Sequence, residues 1–569
     1  MNLDEIFFRF SPGYPAEPPP QPGGGPGDTG GGGGLTIFLA LAGLALVFVG
    51  AGLAFVSSGF ERDAVAQAAG GNTPVNAGAR TQADLSAHNS PALVANPRNA
   101  ANLVIADKID GPRFSCALHV SFDGGVHWNQ TPIPIPAGEE PKCYAPDVVF
   151  GADGELHLSF VTLKGRANAP NAVWLVRSPD GGQTLSDPIR ARGPLKFQVR
   201  LAADPADPQR LYLTWVDTRE VGPFGFTKAG NPIRASRSDD GGRTWSAPIR
   251  LNPYARARAL APTPVVGPKG ELYVLYLDLG KDVLDYEGRH RGRGGAPYEG
   301  SWKLVMARST DRGVTWDEAV VDDNVVPTER FIAFTPPFPS LAVDRRSRTL
   351  YAGFHDGRRG NADVYVWKLT PGSRRWGAPV KVNDTPRSDD TAQMLPRLSV
   401  APDGRLDVLY YDRRGDRTGR TSEVSLQSSF DRGRRFVPRM RLSDLPFDTG
   451  IGYGSERGMP ALGTRLGLVS TRKRALGVWT DTRAGTPESG KQDLARGLAA
   501  FSPPEDLSAT HKALMRIAAV LLALSGAGLI AYAARRFRHD HEPPRRRPRG
   551  GRRSPPRAGR RPGGFARGL

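Results

Sequence analysis

The sequence predicts an all-β protein made of repeated four-stranded sheets, with a membrane-spanning helix at each end. Three observations lead to this fold class. A short motif returns at intervals near 60 residues in the middle of the chain, β-rich runs surround each copy, and two long uncharged segments flank the repeats. Because such a period stacks one supersecondary unit per repeat, the repeats are expected to form a single continuous architecture.

The motif reads Ser-x-Asp-x-Gly-x-Thr-Trp in its cleanest copies, which begin at Ser238 and Ser309. In such a turn the carboxylate accepts backbone N–H bonds, the glycine provides a positive φ, and the aromatic residue packs back on the sheet. Taking Pro371 as the equivalent in a worn copy that lacks the aspartate, the spacings are 57, 60, 71, 60 and 60 residues. The five aspartates, all expected to be structural, are Asp123, Asp180, Asp240, Asp311 and Asp431.

This unit resembles the Asp box of sialidases and other bacterial neuraminidase-type repeat propellers. The resemblance implies a β-propeller of four-stranded blades, in which each box joins the two outer strands and lies away from the ligand face. Second strands end near residues 106, 162, 216, 277, 355, 411 and 480, which favours seven blades, with six as the alternative. The seventh has no box, and its fourth strand is expected from residues 82–86, closing the ring.

Two apolar segments set the expected domain organisation. Leu35–Val56 has 22 residues without a charge and Ile517–Ala534 has 18, enough to cross a hydrocarbon core of about 30 Å. A cleaved signal peptide is the alternative for the first, but 34 residues precede it with Arg9 as their only base. The expected boundaries are a Pro/Gly-rich segment at 1–34, a transmembrane helix at 35–57, a linker at 58–80, the propeller at 81–503, a linker at 504–513, a transmembrane helix at 514–534 and a basic disordered tail at 535–569.

The net charge of +19 is concentrated in the C-terminal tail, where thirteen arginines from Arg535 onward face only Asp540 and Glu542. Excess basic residues mark the cytoplasmic flank of a span. Both termini are therefore expected in the cytoplasm and the propeller outside the plasma membrane. The tail is expected to contact anionic lipid headgroups, and its few aromatic residues argue against a nucleic-acid partner.

The two cysteines, Cys116 and Cys143, fall in adjacent predicted blades. In the oxidising compartment that this topology implies, they are expected to form a disulfide. The nine histidines have no cysteine or acidic partners at ligand spacing, so neither a metal site nor a cofactor is expected.

A second recurring motif, Asp-x-Arg, follows several second strands. A catalytic residue is needed only once, whereas this pair recurs blade by blade, so we expect ion pairs that brace neighbouring blades. The copies are Asp217–Arg219, Asp356–Arg358, Asp412–Arg414 and Asp481–Arg483.

The resemblance to sialidases also defines what an active enzyme needs: three arginines around the substrate carboxylate, a tyrosine activated by a glutamate, and an aspartate as acid/base. The family's Phe/Tyr-Arg-Ile-Pro motif supplies the first arginine, but the comparable stretch here, Asn89–Pro97, contains none. This departure favours a binding protein over an enzyme.

Remnants of such a site remain as candidates. Arg200 and Arg397 occupy matching places on two innermost strands, while Asp390 lies in a loop before one of them. A glycine-rich loop holds the other three candidates. The predicted ligand-binding residues are Arg200, Arg397 and Arg457, and the predicted catalytic residues are Tyr453, Glu456 and Asp390.

The first functional hypothesis is recognition of a glycan, peptide or envelope protein at the cell surface. The alternative is an exo-acting, sialidase-like glycoside hydrolase. A structural spacer in an envelope complex is the third possibility, because a fold alone does not determine function.

Overall fold

The computed structural model describes residues 31–57, 66–81, 83–221, 227–284, 298–328, 337–452, 462–501 and 509–540. The chain separates into two compact units. Residues 63–504 form one unit, built of strands, and the two terminal parts of the chain form the other, which contains two long helices.

Seven antiparallel sheets make up the strand unit, and they confirm the predicted β-propeller with seven blades. After a helix, α1 (Gly31–Ser57), the chain enters the propeller through two short strands, β1 (Ala66–Ala68) and β2 (Thr73–Pro74). Blade 1 is β3 (His88–Ala95), β4 (Leu103–Ile109), β5 (Ser115–Ser121) and β6 (Asn129–Thr131); blade 2 is β7 (Cys143–Phe150), β8 (Leu156–Lys164), β9 (Ala169–Ser178) and β10 (Ile189–Arg192); blade 3 is β11 (Lys196–Ala203), β12 (Leu211–Asp217), β13 (Ile233–Ser238) and β14 (Ile249–Arg250).

The remaining blades repeat this order, with the first strand of each blade innermost. Blade 4 is β15 (Ala259–Val266), β16 (Leu272–Asp278), β17 (Trp302–Ser309) and β18 (Asp317–Val325); blade 5 is β19 (Ser340–Val343), β20 (Leu350–Asp356), β21 (Asp363–Leu369) and β22 (Val380–Lys381); blade 6 is β23 (Gln393–Val400), β24 (Leu406–Asp412), β25 (Thr421–Ser429), β26 (Met440–Arg441) and the added β27 (Phe447–Asp448); blade 7 is β28 (Gly467–Ser470), β29 (Arg474–Asp481) and β30 (Asp493–Phe501), before α2 (Ala509–Asp540).

Blade 7 is completed by strands from the N-terminal side. Both β1 and β2 pair with β30, with Ala66 opposite Phe501 and Thr73 opposite Arg496. The sequence predicts closure from this side, but from residues 82–86; the closing strands instead lie within the segment expected to be a linker. Residues near Asp84 cross the start of β30, where the Asp84 carbonyl accepts a 2.8 Å hydrogen bond from Lys491 Nζ. The segment around Asp84 therefore does not pair along β30, and the outer edge of β30 pairs with β1 and β2 instead.

The hydrophobic core lies between neighbouring blades. At the closing seam, Leu93 and Ile105 of blade 1 belong to one buried cluster with Leu476 and Val478 of blade 7. Each such side chain contributes about 1.5–3 kcal/mol when fully buried. The ring is therefore held by burial at its closing seam as well as by strand pairing.

The five turns that carry the Ser-x-Asp-x-Gly motif, here called the box turns, share one hydrogen-bond pattern. Asp311 Oδ1 accepts N–H bonds from Val314 and Thr315 at 3.1 and 2.9 Å, and Ser309 Oγ accepts the Gly313 N–H at 2.8 Å. The Trp316 indole donates to the Gly313 carbonyl at 3.1 Å. The other four aspartates, Asp123, Asp180, Asp240 and Asp431, accept the matching backbone N–H.

Three Asp-x-Arg arginines each join two blades. Arg414 of blade 6 binds its own Asp412 at 2.7 Å and Asp384, at the end of blade 5, at 2.6 Å. Arg358 reaches Asp322 of blade 4 in the same way, and Arg483 reaches Asp444 of blade 6. At the first copy, Asp217 pairs instead with Lys196 and Arg234, both within blade 3.

A disulfide joins Cys116 of blade 1 to Cys143 of blade 2, with a Cα–Cα distance of 5.5 Å. It lies next to a backbone bond from Cys143 N–H to the Phe114 carbonyl. The covalent link therefore reinforces contact between the first two blades.

A buried cluster of charged groups lies where blade 1 meets blade 7. Asp107 accepts hydrogen bonds from His88 Nδ1 at 2.7 Å and His119 Nε2 at 2.9 Å, and the His88 N–H donates to the Gln492 carbonyl. Burial lowers the pKa of His88, but the charge and hydrogen bond of Asp107 raise it above its ordinary value overall. Burial raises the pKa of Asp107, and the two histidines more than reverse this.

The helical unit consists of α1 and α2, which contain the apolar segments Gly34–Ala54 and Ala513–His539. Only 11% and 17% of their most apolar windows are buried, unlike a core helix of a soluble protein. Small residues at seven-residue intervals are the buried ones: a side chain at Gly43 would come within 2.7 Å of the Gly526 carbonyl. This close approach is typical of paired helices in membranes. The buried positions are Thr36, Gly43 and Gly50 on α1 and Ala519, Gly526 and Ala533 on α2.

Replacing Ser238 by alanine tests the box turns. The substitution leaves the buried Gly242 N–H, which Ser238 Oγ accepts at 2.8 Å, without a partner. We expect a loss of about 1–3 kcal/mol in the free energy of unfolding, measured by urea titration. Ser373→Ala, at an exposed serine in the worn copy, is the control; equal losses in the two variants would contradict the assigned role.

The His88 ion pair predicts a pH-dependent stability. Because the pKa of His88 is higher in the folded state, its contribution is complete below about pH 6.5 and is lost as the pH rises through the folded value. We expect the unfolding free energy to fall across this range, and His88→Gln to remove part of the slope. An unaltered slope in His88→Gln would refute the assignment.

Candidate functional site

A β-bulge recurs on the innermost strands and positions the residues of the central channel. In five blades the strand register shifts at a residue with positive φ: Ser90, Ala145, Gln198, Ala261 and Leu395, with φ between 49° and 59°. Such angles are uncommon for residues other than glycine and often mark functional positions. In every case the second residue after the bulge lines the same cavity: Ala92, Asp147, Arg200, Thr263 and Arg397.

This cavity, here called the hub cavity, has a volume of about 350 Å³. Its walls are the later parts of the innermost strands and the turns that follow them. Four arginines and one aspartate are its charged lining residues within the described part of the chain: Arg200, Arg345, Arg397, Arg465 and Asp147. The cavity therefore has a strong excess of positive charge.

Asp147 is the acceptor at the centre of the cluster. Its Oδ1 lies 3.2 Å from Arg465 Nη1 and 3.4 Å from Arg200 Nη1, and its Oδ2 accepts the Leu201 N–H at 2.9 Å. Burial raises the pKa of Asp147, although the charges of Arg200 and Arg397 act in the opposite direction. The carboxylate links blades 2, 3 and 7, and both of its oxygens are engaged.

Arg465 is fully committed to structure. Its Nε donates to the Ser90 carbonyl at 2.9 Å, its Nη1 binds Asp147, and its Nη2 donates to the Pro146 carbonyl in a short contact. These bonds fasten the segment before β28 to blades 1 and 2. Arg465 therefore has little capacity left for a ligand.

Arg200 and Arg397, in contrast, retain free donors. Arg200 is only 7% exposed, and its Nε and Nη1 have no hydrogen-bond partner among the described residues, although Nη1 is within ion-pair distance of Asp147. The buried Nε of Arg397 is likewise unpaired in the described part of the protein. Burial, assisted by the charge of Arg200, lowers the pKa of Arg397 to about 10. Buried donors without acceptors are costly, and an oxyanion would satisfy them.

A second, smaller cavity of about 40 Å³ lies nearer the starts of the innermost strands. Tyr144, Phe197 and Phe338 are among its lining residues, and Arg200 stands 5.1 Å from the centre of the Phe338 ring. Arg200 and Arg465 line both cavities. These two side chains therefore form part of the wall of each cavity.

The sequence-predicted site residues are only partly brought together. Arg200 and Arg397 both line the hub cavity, as their matching strand positions predict. Asp390 is exposed in the loop before β23, outside the hub lining, and its carbonyl accepts a short hydrogen bond from Asn361. Tyr453, Glu456 and Arg457 lie outside the described residues.

Sequence reasoning missed Asp147, Arg345 and Arg465. A signal for Asp147 exists, since Ala-Pro-Asp147-Val has the same form as Leu-Pro-Arg397-Leu on another innermost strand. Arg465 lacks this pattern, because it precedes β28 by two residues and reaches Asp147 across 318 positions of sequence.

No family model and no curated protein matches the chain. Among solved structures, a Dyadobacter fermentans protein of unknown function is 12% identical, with 77% of this chain and 99% of that one covered and a TM-score of 0.42. A Hadza microbial sialidase is 15% identical, with 70% and 73% covered and a TM-score of 0.38. A Penicillium chrysogenum α-L-arabinanase is 14% identical, with 65% and 96% covered and a TM-score of 0.38.

Removing the central carboxylate tests the charge balance of the hub. Asp147→Asn leaves several buried guanidinium groups without their counter-charge, and breaking a buried pair in this way costs about 3–5 kcal/mol. We expect a loss of that order in the unfolding free energy. Asp390→Asn, at an exposed carboxylate, is the matched control. Adding Arg200→Gln to Asp147→Asn should restore part of the loss, and strictly additive effects would contradict the coupling.

Proposed function

We propose that this chain is a membrane-anchored, extracytoplasmic propeller that recognises a glycan or envelope-protein ligand through an anionic group bound in the hub cavity. The observation that carries the proposal is the pair of arginines, Arg200 and Arg397, whose buried nitrogens lack acceptors among the described residues. Arginine offers a planar fork of donors that matches a carboxylate, sulfate or phosphate. An anion there would satisfy donors that the described residues leave unpaired.

The scarcity of carboxylates in the described part of the cavity favours binding over hydrolysis. Glycoside hydrolases generally use two acidic residues on either side of the scissile bond. Among the described hub residues Asp147 alone is acidic, and both of its oxygens are engaged. A free general acid or base is therefore lacking in the described part of this cavity.

The membrane location is supported by the helical unit and by the tail. Both α1 and α2 expose apolar side chains over a length sufficient to span a bilayer. The arginine-rich residues 535–569 favour cytoplasmic termini and contact with anionic lipid headgroups rather than nucleic acid. The disulfide agrees with an oxidising, extracytoplasmic environment for the propeller.

The proposal is tested by calorimetry of the full-length chain in detergent against acidic and neutral sugars, with glucuronate and glucose as the first pair. We expect binding of the acidic member and an about 10- to 100-fold loss in Arg397→Gln, since a charged hydrogen bond contributes about 1.5–3 kcal/mol. Arg359→Gln, at an exposed arginine outside the hub lining, is the control.

The same preparation is then offered a panel of fluorogenic sialosides and other glycosides. No turnover is expected. Turnover that disappears in Tyr453→Phe or Glu456→Gln would replace the binding function by a hydrolytic one.

A further inference from the structure

We infer that the hub cavity takes a small ligand with at least two negatively charged groups, which enters from the end of the propeller that carries the Asp boxes. The inference rests on the proposed function, because it assigns the ligand class of the same site. It depends on three observations: which end the cavity faces, how its charges are paired, and how its arginines are arranged in depth.

The lining residues identify the end. The cavity extends to Pro97, Ala152 and Pro205, which follow the innermost strands. The turns after these strands contact the box turns directly, as in the bond from Gly241 N–H to the Gln209 carbonyl at 2.9 Å. The hub cavity thus lies toward the box end, whereas the resemblance to sialidases places the ligand at the opposite end.

The charges of the cavity are unequally paired. Arg200 and Arg465 share the carboxylate of Asp147, while Arg345 and Arg397 form no ion pair among the described residues. Four guanidinium groups therefore face one carboxylate, an excess of three positive charges. A ligand with a single charge would leave most of this excess, including the repulsion between Arg200 and Arg397, without compensation.

The two unpaired arginines lie at different depths. Arg397 is on β23 beside Arg200 and is partly buried. The Arg345 side chain lies two residues beyond the end of β19 and is exposed to solvent, which assigns it to the mouth of the cavity, although the surrounding protein lowers the pKa of both arginines. A cavity of about 350 Å³ is also much larger than one oxyanion, because a water molecule occupies about 30 Å³. One anionic group fits the inner pair and a second fits Arg345.

Ethanesulfonate and 1,2-ethanedisulfonate are suitable probes, since both stay fully ionised near neutral pH and differ by one charged group. Their affinities for the full-length chain in detergent are measured by calorimetry at constant ionic strength. We expect the disulfonate to bind about tenfold or more tightly than the monosulfonate, which equals one additional charged contact.

Three variants locate the two groups. Arg397→Gln should weaken both probes about tenfold or more. Arg345→Gln should weaken only the disulfonate, and the neighbouring Arg346→Gln, which changes the net charge equally outside the hub lining, should weaken neither. Thermal unfolding of each variant identifies any loss of binding that results from misfolding, and Arg345→Lys should recover disulfonate affinity if charge at the mouth is what matters.

The outcomes distinguish a failure of the anion site itself from a failure of the second charged contact. If neither sulfonate binds, both the proposed function and this inference are wrong. If the monosulfonate binds and Arg397→Gln weakens it, but the second charge adds nothing or Arg345→Gln has no effect, the anion site stands and the divalent ligand is refuted.

Discussion

The pairing of β30 with β1 and β2 is the constraint on which the rest of the propeller depends. A propeller without this closure would expose the edge of β30, and closed sheets avoid such edges. The closure also has polar support at the seam, where Asn76 Nδ2 donates to Asp493 Oδ1 at 3.0 Å and Lys491 holds the Asp84 carbonyl. Because Arg465 belongs to the last blade and binds Asp147 of the second, the geometry of the hub exists only in the closed ring.

Polar residues at the periphery of the propeller and at its axis have different roles. At the periphery, the carboxylates of the box turns and of the Asp-x-Arg motifs recur from blade to blade, and their hydrogen bonds are made within the turns or between adjacent blades. At the axis, the five blades that carry the bulge contribute residues of differing charge and size at the same strand position: Ala92, Asp147, Arg200, Thr263 and Arg397. The repeated residues therefore stabilise the blades, and the residues that differ between blades at the hub determine the charge of the hub cavity.

Most of the fold, and a smaller part of the candidate site, could be predicted from the sequence. Seven blades follow from periodicity, since a motif such as Ser238–Trp245 is local and its spacing measures blade length. Arg200 and Arg397 could be found because equivalent positions on innermost strands converge at the axis. Arg465 could not, because its partners Ser90 and Asp147 are brought to it only by ring closure. The closing strands lie about ten to seventeen residues before the predicted position for a related reason: short edge strands such as Thr73–Pro74 have no alternating pattern of their own.

The positions at which the chain enters and leaves the propeller also determine how many cuts separate it from the two apolar helices. The chain enters at Ala66 and leaves at Phe501, which are opposite one another in the same strand pair. Any single cut within the ring produces two fragments, each still joined to one of the apolar helices and to its neighbours through buried blade contacts. If both apolar helices anchor the chain in a membrane, as proposed, release of an intact propeller takes two cleavages, one before Ala66 and one after Phe501, and a protease that recognises only one of these sites leaves the protein in place.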